Sequence, residues 1–320
     1  KSDGTLWMWG STGQRLGFGD YDTEPISSPT QLGSLTDWKD IHMTHLNSVL
    51  ALKTDVPIWS WGTNRWGNSG HNLTHSNAPS SPTQIGSLTT WAAVSGTGYA
   101  AFAIKTDGTL WSWGRAAGGV YAGGGSDSGL TGQGVGVNTS SPIQVGSLTT
   151  WSKLLRGSGQ GMFMGAIKTD GTLWTWGYGA NGRLGNNAAV NKSSPVQVGS
   201  ATNWNRGAVS EVAGYAINDD DELWAWGRGV YGSLGQNSTA DSTTPVQITG
   251  EWLAVAGMST GAHAVKKDGT LWHMGDGYPG AGGLGRIGAP RSSSPTQVGS
   301  LTTWLNVFGR GHPGMMAIRS

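Results

Sequence analysis

The feature that most constrains this chain is a phrase that keeps returning. Asp-Gly-Thr-Leu-Trp begins at Asp3, Asp107, Asp170 and Asp268, with degenerate copies at Asp55 (DVPIW) and Asp220 (DDELW). The leading Trp residues are Trp7, Trp59, Trp111, Trp174, Trp224 and Trp272, at spacings of 52, 52, 63, 50 and 48. Two further markers keep the same rhythm. Ser-Ser-Pro starts at Ser27, Ser80, Ser140, Ser193 and Ser293, with Thr-Thr-Pro at Thr243. The phrase SLTTW or a variant ends at Trp38, Trp91, Trp151, Trp204, Trp252 and Trp304. Self-similarity at a period near fifty means stacked copies of one supersecondary unit rather than one irregular core.

Each copy reads as four short strands. Ala-Ile-Lys-Thr runs into Asp-Gly and out through Thr-Leu-Trp-Ser-Trp-Gly, a hairpin in which both turn residues are expected at positive φ. Pro-Val-Gln-Val-Gly gives a third strand, and the marker Trp with the residues after it gives the fourth. No helical periodicity of useful length appears. Four strands per copy and six copies predict an all-β fold, a six-bladed β-propeller in one domain over 1–320. Its repeats begin near Asp3, Asp55, Asp107, Asp170, Asp220 and Asp268. The chain ends on the first strand of a hairpin and starts on its turn and second strand. The N- and C-terminal strands are therefore expected to pair within one blade and close the ring, which removes exposed edges.

Composition supports an ordered fold. Charged residues are 12% and hydrophobic residues 36%, values that alone would suggest disorder, but 18 Trp argue the reverse. A buried Trp removes up to roughly 250 Å² from water, worth several kcal/mol at about 25 cal/mol per Å² as an upper bound. Net charge is +1 and no basic run occurs, so the field that draws nucleic acid or anionic lipid is weak. No Cys is present, which excludes disulfides and thiolate chemistry, and no eighteen-residue apolar stretch exists to span a membrane. A start at Lys1 without a signal peptide suggests a processed product or a piece of something longer.

The run Ala-Ile-Lys-Thr-Asp-Gly-Thr-Leu-Trp-Ser-Trp-Gly at 103–114, followed in other copies by Gly-Arg-Leu-Gly as at 182–185, resembles the regulator of chromosome condensation repeat family. The resemblance covers essentially the whole chain and implies a β-propeller. It leaves function open, because sites are grafted on folds. Such families include a seven-bladed nucleotide exchange factor that binds chromatin, a secreted inhibitor of β-lactamases, and many bacterial and phage proteins. This chain has six copies, no basic tail and little net charge, so no exchange-factor residue carries over. The near-identical copies and the SSPxQVGSLTTW phrase look more like the bacterial and phage members.

Seventeen of the 18 Trp stand in register, eleven in Trp-x-Trp positions and six in marker positions, and are read as packing between blades. Trp66 is the exception and a binding candidate, since it falls in the variable loop after Trp-x-Trp-Gly. That loop also carries Arg115, Tyr121, Tyr178, Arg228, Tyr231 and Tyr278. Tyr, Arg and Trp are enriched at binding hot spots, so these seven residues form the candidate binding face. Ordinary loop drift is the competing reading. The third copy adds a Gly-rich insertion within Ala116–Gly136, read as a lid or a passive linker.

Catalytic and metal chemistry are expected to be absent. His42 with His45 and His71 with His75 have ligand-like spacing, but neither segment looks helical and no carboxylate lies near. Only four Glu occur, at 24, 211, 222 and 251, and the acidic run Asp219–Glu222 sits in a hairpin turn. The Gly-rich GSGQGMFMG lacks the Lys-Ser/Thr of a phosphate loop. Asn72, Asn138, Asn191 and Asn237 head glycosylation sequons that a Ser/Thr-rich chain produces by chance. The expectation is a non-enzymatic binding or adhesion scaffold without cofactor, at an extracellular or virion surface, facing a protein or glycan receptor and open to membership of a larger assembly. A receptor-binding module of a phage or bacterial surface comes first. A lectin with aromatic sugar sites and a secreted protein inhibitor docking on the loop face are the alternatives.

Overall fold

The repeat hairpin is where local chemistry dictates structure most directly. In the computed structural model, β8 (Ala100–Lys105) pairs with β9 (Leu110–Gly114) across Thr106–Thr109. The Gly108 N–H donates to Lys105 O and the Lys105 N–H to Thr109 O. Only Gly108, at φ +78°, takes the left-handed conformation. The turn is thus a type I turn closed by a left-handed Gly, and the expectation of two positive-φ residues is corrected to one. An added Cβ on Gly108 would lie 2.1 Å from Thr149 O, so close approach as well as φ demands Gly there.

The structure describes residues 1–10, 16–19, 25–43, 48–73, 78–116, 128–134, 136, 138–158, 161–276, 291–310 and 314–319. β1 (Trp7–Gly10) and β2 (Ile26–Gln31) form one antiparallel pair. β3 (Trp38–Met43), β4 (Ser48–Lys53), β5 (Ile58–Gly62) and β6 (Thr83–Gln84) form the next sheet in chain order. β7 (Trp91–Gly96), β8, β9 and β10 (Thr139–Gln144) repeat it, as do β11 (Trp151–Leu154), β12 (Phe163–Lys168), β13 (Leu173–Gly177) and β14 (Lys192–Gln197). β15 (Trp204–Val209), β16 (Ala213–Asn218) and β17 (Glu222–Gly227) lead into β18 (Ser242–Gly257). That long strand ends one meander and starts another with β19 (Gly261–Lys266), β20 (Leu271–Gly275) and β21 (Ser292–Gln297). β22 (Trp304–Arg310) and β23 (Gly314–Arg319) form the last pair.

The sheets stand around an axis. The first strand of each touches the first strand of the next, from β3 through β7, β11, β15 and β18 to β22. Arg156, after β11, ties the ring across its centre: its Nη2 is 3.3 Å from Asp40 Oδ1 on β3, and its guanidinium lies 5.4 Å from the Phe308 ring on β22. Sheets whose innermost strands share one axis make a β-propeller.

The indoles explain the cohesion. Trp61, Trp113, Trp176 and Trp226, the second residues of Trp-x-Trp, are fully buried. The Trp113 indole N–H donates to Asn68 O (3.1 Å), Trp176 to Leu130 O (3.0 Å) and Trp226 to Arg183 O (3.0 Å). Every acceptor lies in the loop of the preceding repeat. Trp113, Trp176 and Trp226 therefore each bury apolar area between two sheets and staple an N–H to the earlier one.

The expected pairing of terminal strands is not made. Among the described residues β1 pairs with β2 and β23 with β22, and the two pairs stand as separate sheets. The physical reason is a shared register. Lys1 already occupies the place Lys105 holds in β8: its terminal amino group donates to Thr5 O, and its Nζ sits 3.5 Å from the Trp7 ring centroid. Arg319, opposite Trp304, occupies the same place from the other end. Trp9, whose repeat mates are fully buried, is 47% exposed.

Candidate functional site

The propeller has two unlike faces. The hairpin face repeats the same polar device. Lys105 Nζ lies 3.8 Å from the Trp111 centroid and 5.2 Å from Trp91; Lys168 and Lys266 bridge the corresponding pairs. Burial draws the Lys168 ammonium below its ordinary value. The Trp pairs themselves meet edge to face, as Trp91 and Trp111 do at 5.9 Å and 83°. The Thr of Asp-Gly-Thr is a relay: the Trp111 indole donates to Thr109 Oγ1 (2.8 Å), whose hydroxyl donates to Asp107 Oδ1 (2.6 Å). The same chain of bonds recurs at Asp3, Asp170 and Asp268. The Thr109 hydroxyl and N–H hold the Asp107 carboxyl below the usual carboxylate range.

The acidic run Asp219–Glu222 is consumed in the same way. Asp219 accepts from Asn205, Asp220 from Asn203 and Glu222 from Asn218. Asp221 pairs with Arg206 and Lys267, both at 2.9 Å, and those bonds lower its carboxyl. This is a satisfied turn, as the repeat register implies.

The opposite face is built by the loops after Trp-x-Trp-Gly. The Ser-Ser-Pro marker pins each loop. The Asn72 N–H donates to Ser140 O, Gly134 to Ser193 O, Asn187 to Thr243 O and Asn237 to Ser293 O, so these four loops are bonded to the outer strand of the following sheet. On that fixed base, guanidinium groups stack on aromatic rings. Arg115 lies 4.3 Å from the Trp66 centroid and 5.5 Å from Tyr99, and Arg65 lies 5.4 Å from Trp66 on its own loop. Arg183 lies 5.0 Å from Tyr178. Arg291 lies 3.8 Å from Tyr231 and 3.4 Å from Asp276. Tyr231 itself takes a left-handed φ of +60°.

The structure therefore brings Trp66 and Arg115 together across the junction of two sheets, and places Tyr178, Arg228 and Tyr231 on the same face. Trp66, Arg115, Tyr178 and Tyr231 are half-buried, while Arg228 is exposed. Tyr121 and Tyr278 lie outside the described residues, as does most of the Ala116–Gly136 insertion. Sequence reasoning missed Arg65, Arg183, Arg291 and Tyr99, the stacking partners. Arg183 was visible only as part of the Gly-Arg-Leu-Gly phrase. Burial of its guanidinium lowers its pKa, and it donates to Glu211 O, Ala180 O and Asn181.

Among the described residues no three His, Cys, Asp or Glu side chains group to hold a metal ion, and no helix is long and apolar enough to cross a membrane. Of the His pairs singled out by spacing, His45 and His75 lie outside the described residues. His42 is buried with Nε2 2.8 Å from Gly96 O, and His71 Nε2 lies 2.9 Å from Ser60 Oγ.

A radial stack of antiparallel sheets with an interlocked loop face defines a β-propeller. Two stretches, 170–214 and 220–263, match the model of the regulator of chromosome condensation (RCC1) repeat, so the chain carries RCC1 repeats. It is 31% identical over 196 residues to the human probable E3 ubiquitin-protein ligase HERC6, covering 60% of this chain and 18% of that protein. It is 32% identical over 205 residues to the mitochondrial RCC1 domain-containing protein RUG3 of Arabidopsis thaliana, covering 62% of this chain and 43% of that one. The chain thus spans less than half the length of these relatives. Among solved structures, human WBSCR16 superposes with a TM-score of 0.82 at 18% identity, over 98% of this chain and 81% of that one. Yeast RCC1 (Prp20), solved bound to Kap60, superposes with a TM-score of 0.79 at 18% identity, over 98% and 76%. These likenesses establish the β-propeller fold.

Proposed function

We propose that the chain is a non-enzymatic scaffold that docks a protein partner on its loop face. The observation that carries the reading is the series of guanidinium–aromatic stacks, Arg115 on Trp66, Arg183 on Tyr178 and Arg291 on Tyr231, raised on loops that the neighbouring sheet holds by backbone bonds. Arg and large aromatics provide contact energy, and preorganised loops lower the entropy lost on docking. Yeast RCC1, a structural neighbour, is itself solved with a protein bound. We place the module at the surface of a phage particle or bacterial cell. Low charge, absence of Cys and near-uniform repeats support that placement.

The test is chemical cross-linking of the purified chain to its native surface, followed by mapping of the cross-linked residues. A single protein partner contacting the loops around Arg65, Arg115 and Arg228 is expected. The triple variant Arg65→Ala, Arg115→Ala, Arg228→Ala should weaken binding at least tenfold. Contacts confined to the hairpin face, or affinity unchanged by the triple variant, would overturn the reading. Binding to a glycan array at more than one site per chain would replace it with the lectin.

A further inference from the structure

In each complete sheet the same two strands meet at the centre. The strand ending in Ile-Lys, or its variant, pairs with the Trp-x-Trp-Gly strand, as β8 does with β9 and β12 with β13. Among the described residues, β1 is such a Trp strand without the strand before it, and β23 is such an Ile strand without the strand after it. Each therefore presents a free edge that the other sheets fill. Two side chains register the loss. Trp9 is 47% exposed, whereas its counterparts Trp61, Trp113, Trp176, Trp226 and Met274 are fully buried. Ile318 is 52% exposed, whereas Leu52, Ile104, Ile167, Ile217 and Val265 in its place are buried.

These edges do not serve one another. In the β7–β10 sheet one residue, Lys105, stands opposite Trp91 and reaches over both Trp91 and Trp111. Here that place is held twice. Lys1 reaches Trp7 and closes its own turn, the Gly4 N–H donating to Lys1 O as Gly108 donates to Lys105 O. Arg319 stands opposite Trp304. One sheet has room for one residue there, so β1 and β2 are the outer half of one blade, and β22 and β23 the inner half of another. Packing agrees. Leu6, Met8 and Leu32 cluster with Val49, Ala51 and Trp61 of the sheet after them. Val307 clusters with Ala254, Ala256 and Val265 of the sheet before it.

We infer that the seam between β23 and β1 binds a Trp-bearing β segment one repeat long, carried by a separate polypeptide. Its outer hairpin adds to β23 and its inner hairpin to β1. Recognition is β-augmentation, in which main-chain bonds along two edges give affinity and apolar side chains set the register. Residues 170–217 of this chain show what fits. Leu173 faces Ile167 in its own sheet and would face Ile318 in the seam; Gly214 faces Trp226 and would face Trp9. The segment starts two residues after the place Arg319 holds, that of Lys168, and stops one before the place Lys1 holds, that of Asn218. It would also bring a marker Trp, Trp204, to the Lys1 ammonium, which stacks on one indole where Lys105 stacks on two. A second copy of the chain does not fit. Offering its β1 to β23, it would carry its β3–β6 sheet onto the place that the first copy's β1 and β2 hold.

The experiment adds a synthetic segment of residues 170–217 to the whole purified chain and follows amide hydrogen exchange by mass spectrometry. One segment per chain is expected, with protection gained in Trp7–Gly10 and Gly314–Arg319. The thermal midpoint should rise by at least about 2 °C at saturation. Thr175→Pro with Ala216→Pro in the segment removes ladder bonds from both of its central strands and should abolish these effects. Trp9→Gln with Ile318→Gln in the chain should weaken binding at least tenfold. Both side chains are exposed, so the midpoint of the chain alone should not move. A second protein carries residues 170–217 fused after Ser320, so that the solubility of the free segment decides nothing; the same strands should gain protection. Absence of protection in both formats, or binding indifferent to the proline variant, would overturn the inference. So would protection of both strands in the chain alone: a monomer would show that the ring closes on itself, and a dimer that a second copy covers the seam.

Discussion

Two glycines of neighbouring turns separate the conformational role of the repeat's Gly from its packing role. Gly171 and Gly199 both sit at positive φ, +75° and +58°. An added Cβ on Gly199 meets nothing within 4 Å, whereas on Gly171 it falls 1.9 Å from Thr202 O. The Gly171 carbonyl also accepts the Trp204 N–H at 3.0 Å, joining the hairpin turn of one sheet to the marker Trp of the next. Alanine at either place incurs about 1–2 kcal/mol for the left-handed conformation. A more restricted unfolded chain returns about 0.4–1 kcal/mol. Gly199→Ala should therefore destabilise by about 1 kcal/mol.

Gly171→Ala must in addition displace the Thr202 carbonyl. That strains or breaks the bond to the buried Trp204 N–H, and a buried donor left unmatched costs about 1–3 kcal/mol. The total is about 2–4 kcal/mol. Urea unfolding of both variants, followed by Trp fluorescence and compared at equal m-values, measures the difference directly. Losses within about 0.5 kcal/mol of each other would refute the claim that this Gly locks one sheet to the next.

Restoring the repeat should help where the second copy departs from it. Val56 stands at φ +65° in place of Gly, and Pro57 stands in place of Thr, leaving the Trp59 indole N–H without a partner among the described residues; Val56→Gly with Pro57→Thr should raise stability by about 1 kcal/mol in the same urea assay. Burial first, then the Arg156 charge, pushes the His42 imidazole down to about 4 from 6.5, with Asp40 opposing. A depressed folded value means the unfolded chain binds the proton more readily, so this contribution is whole above pH 6.5 and is lost as pH falls through 4. About 3 kcal/mol is at stake, and His42→Gln should flatten the thermal midpoint against pH across that window. Trp176→Phe keeps the ring contact but removes the donor to Leu130 O, so it should destabilise by about 1–3 kcal/mol, which calorimetry would detect.

Much of the fold was legible because the repeat is a statement about neighbours. The Asp-Gly turn, the Trp-x-Trp strand and the Ser-Ser-Pro edge each recur, and each makes the same contact with the adjoining sheet. The regular spacing of indoles was enough to infer that they lie between sheets. Ring closure was less legible. Lys1 and Arg319 both match the Lys of Ala-Ile-Lys-Thr, and periodicity alone cannot say that one place is filled from the N-terminal side while Trp9 stays 47% exposed. The loop face was half legible. Trp66 and Arg115 stood out as residue types, but their stacking depends on Arg115 reaching back over the preceding sheet, which no spacing along the chain encodes.

The copies serve as controls for one another, and departures from the shared pattern divide by what the structure does about them. Glu222 in place of Thr leaves the Trp224 indole unmatched among the described residues, but Asn218 and the Asp221 ion pairs rebuild the turn around it. That departure is repaired, and it lies on the face whose polar groups bond among themselves. Val56 and Pro57 are unrepaired, since the Trp59 indole N–H finds no partner among the described residues. His263, His273 and Met258 differ from both cases. Met258 stands where other copies carry Thr97 or Ser210, and His263 faces His273 where another copy pairs Phe102 with Ser112, so a buried contact between His263 Nδ1 and Met258 Sδ stands where the other sheets bond a hydroxyl to a loop carbonyl.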